Sequence, residues 1–134
     1  MTIEAWSIFL YGLLVFFGIF IQATYTGITE GLAFGFSNRD QQPSHKGQMG
    51  DRIDNTLNNL KEGAVMYLPL AFLAVHYQIS NPWTYYAAWA TIISRLCYVP
   101  IYIIGIQKVR TLMWVPSFLA VPALAYGIYL GVEN

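Results

Sequence analysis

Charged residues fall in a few clusters along the chain, and long uncharged runs separate these clusters. No Asp, Glu, Lys or Arg occurs in residues 5–29, 63–94 or 111–132, which are runs of 25, 32 and 22 residues. A helix of about 20 apolar residues spans a bilayer, so each run is long enough to cross it. The longest run is interrupted by Ser80-Asn81-Pro82, a sequence typical of a helix start. The pattern therefore predicts four helices, at about 5–30, 51–78, 82–107 and 111–131.

The composition excludes an ordinary soluble domain. Of the 134 residues, 56% are hydrophobic and 10% are charged, whereas about 25% of residues are charged in a typical soluble domain. A domain this small buries only part of its surface when it folds, so many of these apolar side chains would be exposed to water if the protein were soluble. We therefore expect an all-α, integral membrane four-helix bundle that forms a single domain over residues 1–134. Seven basic residues balance seven acidic ones, which argues against a nucleic-acid partner.

The positions of the basic residues predict an orientation. Arg39, Lys46 and Arg52 lie between or at the edge of the first two predicted helices, and Lys108 and Arg110 lie between the last two. The turn between the second and third helices and both termini carry no Lys or Arg. By the positive-inside rule, the two basic connections face the cytoplasm, and both termini face the opposite side.

The second predicted helix opens with a polar stripe. Arg52, Asn55, Asn59 and Glu62 are spaced three, four and three residues apart, so they share one face of the helix. Polar and ionisable groups at membrane depth usually face the bundle interior, a partner or a water-filled cavity. We interpret Asn59 and Glu62 as part of a site. The alternative is that the helix projects into the cytoplasm and its first turns are simply solvated.

The third predicted helix carries a second polar stripe of Arg95, Tyr98 and Tyr102, which again share one face. Glu62 is the carboxylate at a depth comparable to that of Arg95, so it is the predicted partner. Two interpretations stay open here: a structural Arg–Glu pair between two helices, or a ligand site. Arg110 follows at the turn into the fourth helix. It either belongs to the same site, at its cytoplasmic opening, or serves only as a positive charge that keeps this turn on the cytoplasmic side.

Together these side chains predict a pocket with cations, a carboxylate, an amide and phenols, which suits a small zwitterion or anion. Arginine binds carboxylates in a planar, bidentate manner, and Glu62 would pair with an ammonium group. A cation beside a thiol favours the thiolate, which is the nucleophilic form. His45 and His76 are expected at opposite membrane faces, so no metal site is predicted between them.

These residues resemble the MAPEG superfamily, the membrane-associated proteins of eicosanoid and glutathione metabolism. The matching stretches are Arg52…Asn59-x-x-Glu62 and Arg95-Leu-Cys-Tyr98-Val-Pro-Ile-Tyr102-Ile-Ile-Gly105…Arg110-Thr-Leu-Met-Trp114. The resemblance covers nearly the whole chain, and the second stretch is the more specific. The loop sequence Ser37-Asn38-Arg39-Asp40 is most similar to the bacterial branch of the family.

The resemblance implies a homotrimer with glutathione, as cosubstrate, at subunit interfaces that open to the cytoplasm. It also implies a glutathione-dependent transferase or peroxidase that acts on an apolar small molecule or a lipid hydroperoxide within the lipids of a bacterial inner membrane. Arg110 would be the catalytic residue that stabilises the thiolate, and Glu62 would contact the amine end of glutathione. The other implied glutathione-contacting or site-shaping residues are Arg52, Asn55, Asn59, Arg95, Tyr98 and Tyr102.

Two departures from the family pattern bear on these expectations. Asn55 stands where characterised members usually have a further arginine, and residues 27–36 lack the arginine that some members direct to a neighbour's glutathione. Fewer cations weaken carboxylate binding, so a different thiol is a second expectation for the ligand. The alternative function is a non-catalytic membrane scaffold or subunit in which Arg95 and Glu62 form a structural pair. A channel or transporter is less favoured, because the charges cluster towards one side of the membrane and no inverted repeat is visible.

Overall fold

A computed structural model describes residues 1–133, with only the backbone described at residue 107. All regular elements within residues 1–133 are helical. They are α1 (Ile3–Glu30), α2 (Leu32–Gly35), α3 (Gly47–His76), α4 (Pro82–Ile104) and α5 (Gln107–Glu133). The four long helices pack as a bundle, in which α4 and α5 form the most extensive contact. The predicted all-α, four-helix architecture is therefore confirmed.

Helix ends differ from the prediction where local capping decides them. Helix α1 begins at Ile3 rather than residue 5, because the Thr2 hydroxyl accepts a hydrogen bond from the backbone N–H of Ala5 at 3.3 Å. Helix α4 begins at the predicted Pro82, and a capping box that includes Asn81 precedes it. It ends three residues earlier than predicted, because Gly105 adopts a left-handed conformation with φ 91° and ψ 27°.

The remaining boundaries shift by a few residues. Helix α3 covers 47–76 instead of 51–78, and α5 covers 107–133 instead of 111–131. The short helix α2 was not predicted. It follows Gly31, whose φ of 85° separates it from α1.

The bundle has two chemically different ends. The terminal end contains the start of α1, the α3–α4 turn and the end of α5, and the loop end contains residues 31–46 and the α4–α5 turn. At the terminal end, Glu4 Oε1 accepts hydrogen bonds from Ser80 Oγ at 3.1 Å and from Thr84 Oγ1 at 2.7 Å. The Asn81 side chain donates to the backbone carbonyl of Gly127 at 2.7 Å. These bonds tie α1 and α5 to the beginning of α4.

Small residues and tyrosines build much of the core, while large apolar side chains cover the outside. Tyr67 is 1% exposed, and its hydroxyl forms a hydrogen bond with Ser7 Oγ at 2.7 Å. Phe16, Phe17 and Phe20 on α1 are each more than half exposed. Contiguous apolar surface of this kind is rare on water-soluble monomers and is expected where lipid surrounds the protein.

Three helices are long and apolar enough to cross a membrane, and they mark the chain as an integral membrane protein. They are Ile3–Glu30, Pro82–Ile104 and Lys108–Glu133. Helix α3, which was also predicted to span the membrane, is not among them. All five of its Asp, Glu, Lys and Arg residues lie between residues 51 and 62, and its uncharged part covers only 63–76. The polar half of α3 carries four of the eight predicted site residues, Arg52, Asn55, Asn59 and Glu62.

Candidate functional site

The turn between α4 and α5 brings two of the predicted site residues together. Tyr102 lies in the last turn of α4, and Arg110 lies in the first turn of α5. The Arg110 guanidinium lies over the Tyr102 ring, 4.9 Å from its centroid, which is within the range of a cation–π contact. A cation near the N-terminus of a helix is disfavoured by the helix dipole, so the stability of α5 does not explain an arginine at this position.

Two cavities lie on either side of this Arg110–Tyr102 contact. The helix cavity has a volume of about 260 Å³ and is lined by Asn59, Tyr98, Tyr102, Arg110, Thr111 and Trp114. The turn cavity has a volume of about 190 Å³ and is lined by Gln48, Asp51, Arg52, Asn55, Tyr102, Gly105, Ile106 and Arg110. Six of the eight predicted site residues therefore line one or both cavities. The two remaining predicted residues, Arg95 and Glu62, do not line either one.

Arg95 lies behind the helix cavity. It is 2% exposed, and its Nη1 donates a hydrogen bond to Oδ1 of Asn59 at 2.6 Å. Its guanidinium carbon lies 5.9 Å from the ring centroid of Tyr11 and 5.7 Å from that of Tyr98. Arg95 therefore contacts the site through Asn59 and Tyr98.

Glu62 does not pair with Arg95 in this chain. Glu62 is exposed on α3, and the partner of Arg95 is Asn59, which lies three residues earlier on the same helix. The two positions share a stripe, but Asn59 is the one turned towards α4. The interpretation of a structural Arg95–Glu62 pair is thus not supported by the contacts within the chain.

Arg52 has a structural contact as well as a place in the turn cavity. Its Nη1 lies 3.4 Å from the backbone carbonyl of Ile104, at the C-terminal end of α4. A Cβ atom on Gly105 would lie 2.6 Å from the Arg52 guanidinium carbon, so the glycine leaves room for this side chain. A cation at a helix C-terminus is favoured both by the last carbonyl groups and by the helix dipole.

Several lining residues were not among the predicted site residues. Trp114 follows Arg110 by four residues, so helical spacing could have identified it as a neighbour. Asp51 precedes Arg52 directly and brings a carboxylate to the turn cavity. Gly63 and Tyr11 lie beside the Arg95 guanidinium. No local pattern singles out Gly63 or Tyr11, because their contacts with Arg95 connect different helices.

A third cavity, of about 350 Å³, lies between α1, the loop that follows it and the beginning of α3. None of the predicted site residues lines it. Asp54 accepts a hydrogen bond from Gln22 Nε2 at 2.8 Å and lies 2.5 Å from Lys46 Nζ. Hydrogen bonding to Asp54 raises the pKa of Lys46 above its ordinary value of 10.5. Three of its polar residues, Gln22, Lys46 and Asp54, are thus bonded to one another.

Comparison with known proteins places the chain in a family. The model of the MAPEG family matches residues 3–130, which include every residue of both cavities. Neither the comparison with curated proteins nor the comparison with solved structures gave a match. A match over nearly the whole chain, together with the apolar helices, shows that the protein belongs to the MAPEG family, membrane proteins associated with eicosanoid and glutathione metabolism.

Proposed function

We propose that this protein is a membrane-embedded, glutathione-dependent transferase or peroxidase in which Arg110 activates the thiol. The observation that carries the proposal is the position of Arg110, whose half-buried side chain lies over Tyr102 in the wall shared by the helix cavity and the turn cavity. A guanidinium beside a thiol stabilises the thiolate relative to the neutral form. The resemblance at Arg110 and the family match over residues 3–130 support the same role.

The side chains around Arg110 fit the chemistry of glutathione, which has two carboxylates, one ammonium group and one thiol. In the turn cavity, Arg52 and Asn55 would bind a carboxylate of glutathione. In the helix cavity, Asn59, Tyr98 and Tyr102 offer an amide and two hydroxyls. Pockets for small molecules usually measure about 300–1,000 Å³. Each cavity is smaller than that, so an elongated ligand would occupy both cavities around Arg110.

The reaction needs a thiolate close to an apolar second substrate. The thiol proton passes to water at the mouth of the cavities, and Arg110 stabilises the sulfur anion. In the transferase reaction the thiolate forms a C–S bond, and the leaving group departs with its electron pair. In the peroxidase reaction the thiolate attacks the terminal oxygen of a hydroperoxide, and an S–O bond forms as the O–O bond breaks. The departing alkoxide takes a proton from water at the mouth of the cavities to give the alcohol. A second glutathione then converts the resulting sulfenic acid to disulfide and water.

Assembly and location complete the proposal. The chain would form a homotrimer in the bacterial inner membrane, with the loop end facing the cytoplasm and both termini on the opposite side. The basic residues of the loop end support this orientation. Glu62 is exposed on the single chain, so its proposed contact with the ammonium group of glutathione would be made at a subunit interface.

The experiment that tests the proposal is a glutathione titration of the detergent-purified protein, followed by thiolate absorbance. We expect a saturable signal in the wild type and its loss in Arg110→Ala, because the guanidinium that favours the thiolate has been removed. The rate of conjugation should fall by about 100-fold or more, as is typical when a group that stabilises an anion in catalysis is removed. Arg39→Ala is the matched control, because Arg39 is an exposed arginine of the loop and lines neither site cavity. It should keep the signal.

The outcomes separate the possible failures. An intact thiolate signal in Arg110→Ala would remove Arg110 from the mechanism. A wild-type protein without a saturable signal at millimolar glutathione would contradict the proposed function as a whole. Thermal unfolding of each variant, measured in parallel, shows whether a lost signal reflects lost folding instead.

A further inference from the structure

The guanidinium of Arg95 occupies a space that only a glycine leaves open. Gly63 is buried in the middle of α3, and a Cβ atom built on it would lie 2.6 Å from Arg95 Nη2 and 3.0 Å from Arg95 Cζ. It would lie closer still to the Tyr11 hydroxyl, which donates a hydrogen bond to the carbonyl of Leu60 at 3.0 Å. Glycine is a poorer helix former than alanine, so its presence here needs a reason in packing. The reason is that Arg95 lies directly against the backbone of α3.

This placement fixes the orientation of the Asn59 amide. Asn59 lies one helical turn before Gly63, and its side chain is the hydrogen-bond partner of Arg95 Nη1. A guanidinium has donors only, so the atom of Asn59 that faces it must be the carbonyl oxygen. The NH₂ group of Asn59 is then the end of the amide left for the helix cavity.

Hydrogen-bond donors also predominate among the other groups that line the helix cavity. Arg110 and the indole of Trp114 only donate hydrogen bonds, and the hydroxyls of Tyr98, Tyr102 and Thr111 both donate and accept. No carboxylate is among the residues that line this cavity in the described chain. With the Asn59 oxygen held by Arg95, the cavity presents an excess of donors.

We propose that Gly63 and Arg95 are positioning residues that make Asn59 a hydrogen-bond donor, and that the helix cavity is thereby specific for an anionic group such as a thiolate, sulfonate or carboxylate. This inference rests on the proposed function for the identity of the whole ligand. An anionic group of the ligand then enters the helix cavity, and Gly63 and Arg95 favour that group through Asn59 without contacting the ligand themselves.

The first test uses two substitutions at Asn59 and two probes, glutathione and its sulfonate analogue, in which a permanent anion replaces the thiol. Asn59→Asp keeps an oxygen for Arg95 but removes the NH₂ donor. We expect it to unfold at or above the wild-type temperature while its affinity for the sulfonate probe falls about tenfold or more, as the loss of a hydrogen bond to a charged group implies. Asn59→Ala should lose both the affinity and thermal stability, because it leaves Arg95 Nη1 without its partner. Wild-type affinity in Asn59→Asp would overturn the proposal.

The second test addresses the positioning by Gly63. Gly63→Ala should lower both thermal stability and probe affinity, although alanine favours the helix. Gly12→Ala is the matched control, because a Cβ atom at Gly12 in α1 meets nothing within 4 Å. Tyr11→Phe removes the second group that crowds Gly63, so Tyr11→Phe/Gly63→Ala compared with Tyr11→Phe isolates the contact with Arg95. Unchanged affinity in that comparison would overturn the role of Gly63.

Two measurements distinguish failure of the positioning by Gly63 and Arg95 from failure of glutathione binding. If the wild type binds neither probe, the proposed function is contradicted. A double-mutant cycle between Gly63→Ala and Asn59→Ala in thermal unfolding needs no ligand, and it tests the coupling through Arg95 by itself. Additive effects in that cycle would contradict the coupling, and less-than-additive effects would support it.

Discussion

Glu4 and Arg95 are two buried charges that lie towards opposite ends of the same bundle. Their exposures are 1% and 2%, and each has one side-chain atom without a hydrogen-bond partner, Oε2 of Glu4 and Nε of Arg95. Neither forms an ion pair within residues 1–133. By burial and charge alone, the two residues are equivalent candidates for a functional site.

Their surroundings make them different. Glu4 accepts hydrogen bonds from the hydroxyls of Ser80 and Thr84, and Thr84 also belongs to the capping box of α4. The partners of Glu4 are thus parts of a helix start. Arg95 bonds to Asn59, which lines a cavity shared with Tyr102 and Arg110. Ser80 also lines a cavity, of about 510 Å³, but no charged residue is among the described residues that line it. A buried charge therefore indicates a ligand site when its partner borders a cavity that holds a further charged group, as Asn59 does beside Arg110, and Glu4 is better interpreted as a structural link between α1 and α4.

The largest effect on stability is expected from Glu4→Ala. This substitution removes the acceptor of two hydroxyl donors, one on the buried Thr84 and one on the exposed Ser80, and a hydrogen bond to a charged group contributes about 1.5–3 kcal/mol. We expect the free energy of unfolding to fall by about 3 kcal/mol, measured in detergent micelles, while the affinity for glutathione stays unchanged in the folded fraction. Equal melting temperatures for Glu4→Ala and the wild type, or a weakened affinity, would break the distinction between the two ends.

Two controls sharpen this prediction. Glu4→Gln keeps an oxygen that accepts from Ser80 and Thr84, so it should retain most of the stability. Glu133→Ala removes an exposed acidic side chain from the same end of the bundle and should have little effect.

The sequence predicts the parts of this molecule that depend on local pattern. The long uncharged runs place the four long helices, and spacings of three and four residues place Asn59, Tyr98 and Tyr102 on faces that do meet. The partner of Arg95 could not be predicted, because Asn59 and Glu62 lie on the same stripe and tertiary packing decides which one faces α4. The burial of Glu4 could not be predicted either, since the residues that cover it follow more than 70 positions later in the chain.

A smaller effect is expected at the α4–α5 turn. Arg52 there contacts a helix end, as Glu4 does, and it also lines a cavity, as the partner of Arg95 does. Gly105→Ala should lower the free energy of unfolding by about 2 kcal/mol, because it combines a strained positive φ with a collision with Arg52. Gly47→Ala is the control, because Gly47 also has a positive φ, of 59°, but the nearest atom to its Cβ position is the Tyr25 hydroxyl oxygen at 4.0 Å. It should cost only about 1 kcal/mol.

The double variant Arg52→Ala/Gly105→Ala completes this comparison. If Arg52 causes the collision, the two substitutions together should cost less than the sum of their separate effects in thermal unfolding. A strictly additive result would mean that the position of Arg52 does not depend on the space at Gly105.

The smallest effect is expected for the partly exposed ion pairs of Lys46. They serve as a reference for the buried residues Glu4 and Arg95. Lys46 Nζ lies 3.3 Å from an Asp51 oxygen and 2.5 Å from an Asp54 oxygen, and ion pairs in such partly exposed positions contribute about 0–1 kcal/mol. Lys46→Met should therefore lower the free energy of unfolding by less than about 1 kcal/mol, and added salt should reduce the difference from the wild type.

The pH dependence of this contribution has a definite sign. Hydrogen bonding to Asp54 raises the pKa of Lys46 above 10.5 in the folded protein. While the aspartates are ionised, the stabilisation is therefore fully present below pH 10.5, and it is lost as the pH rises through the folded-state pKa. Unfolding curves of the wild type and Lys46→Met should converge in that alkaline range. Convergence is also expected in acid, where protonation of Asp54 breaks the same pair. Curves that stay apart at alkaline pH and at high salt would show that Lys46 acts by packing rather than by charge.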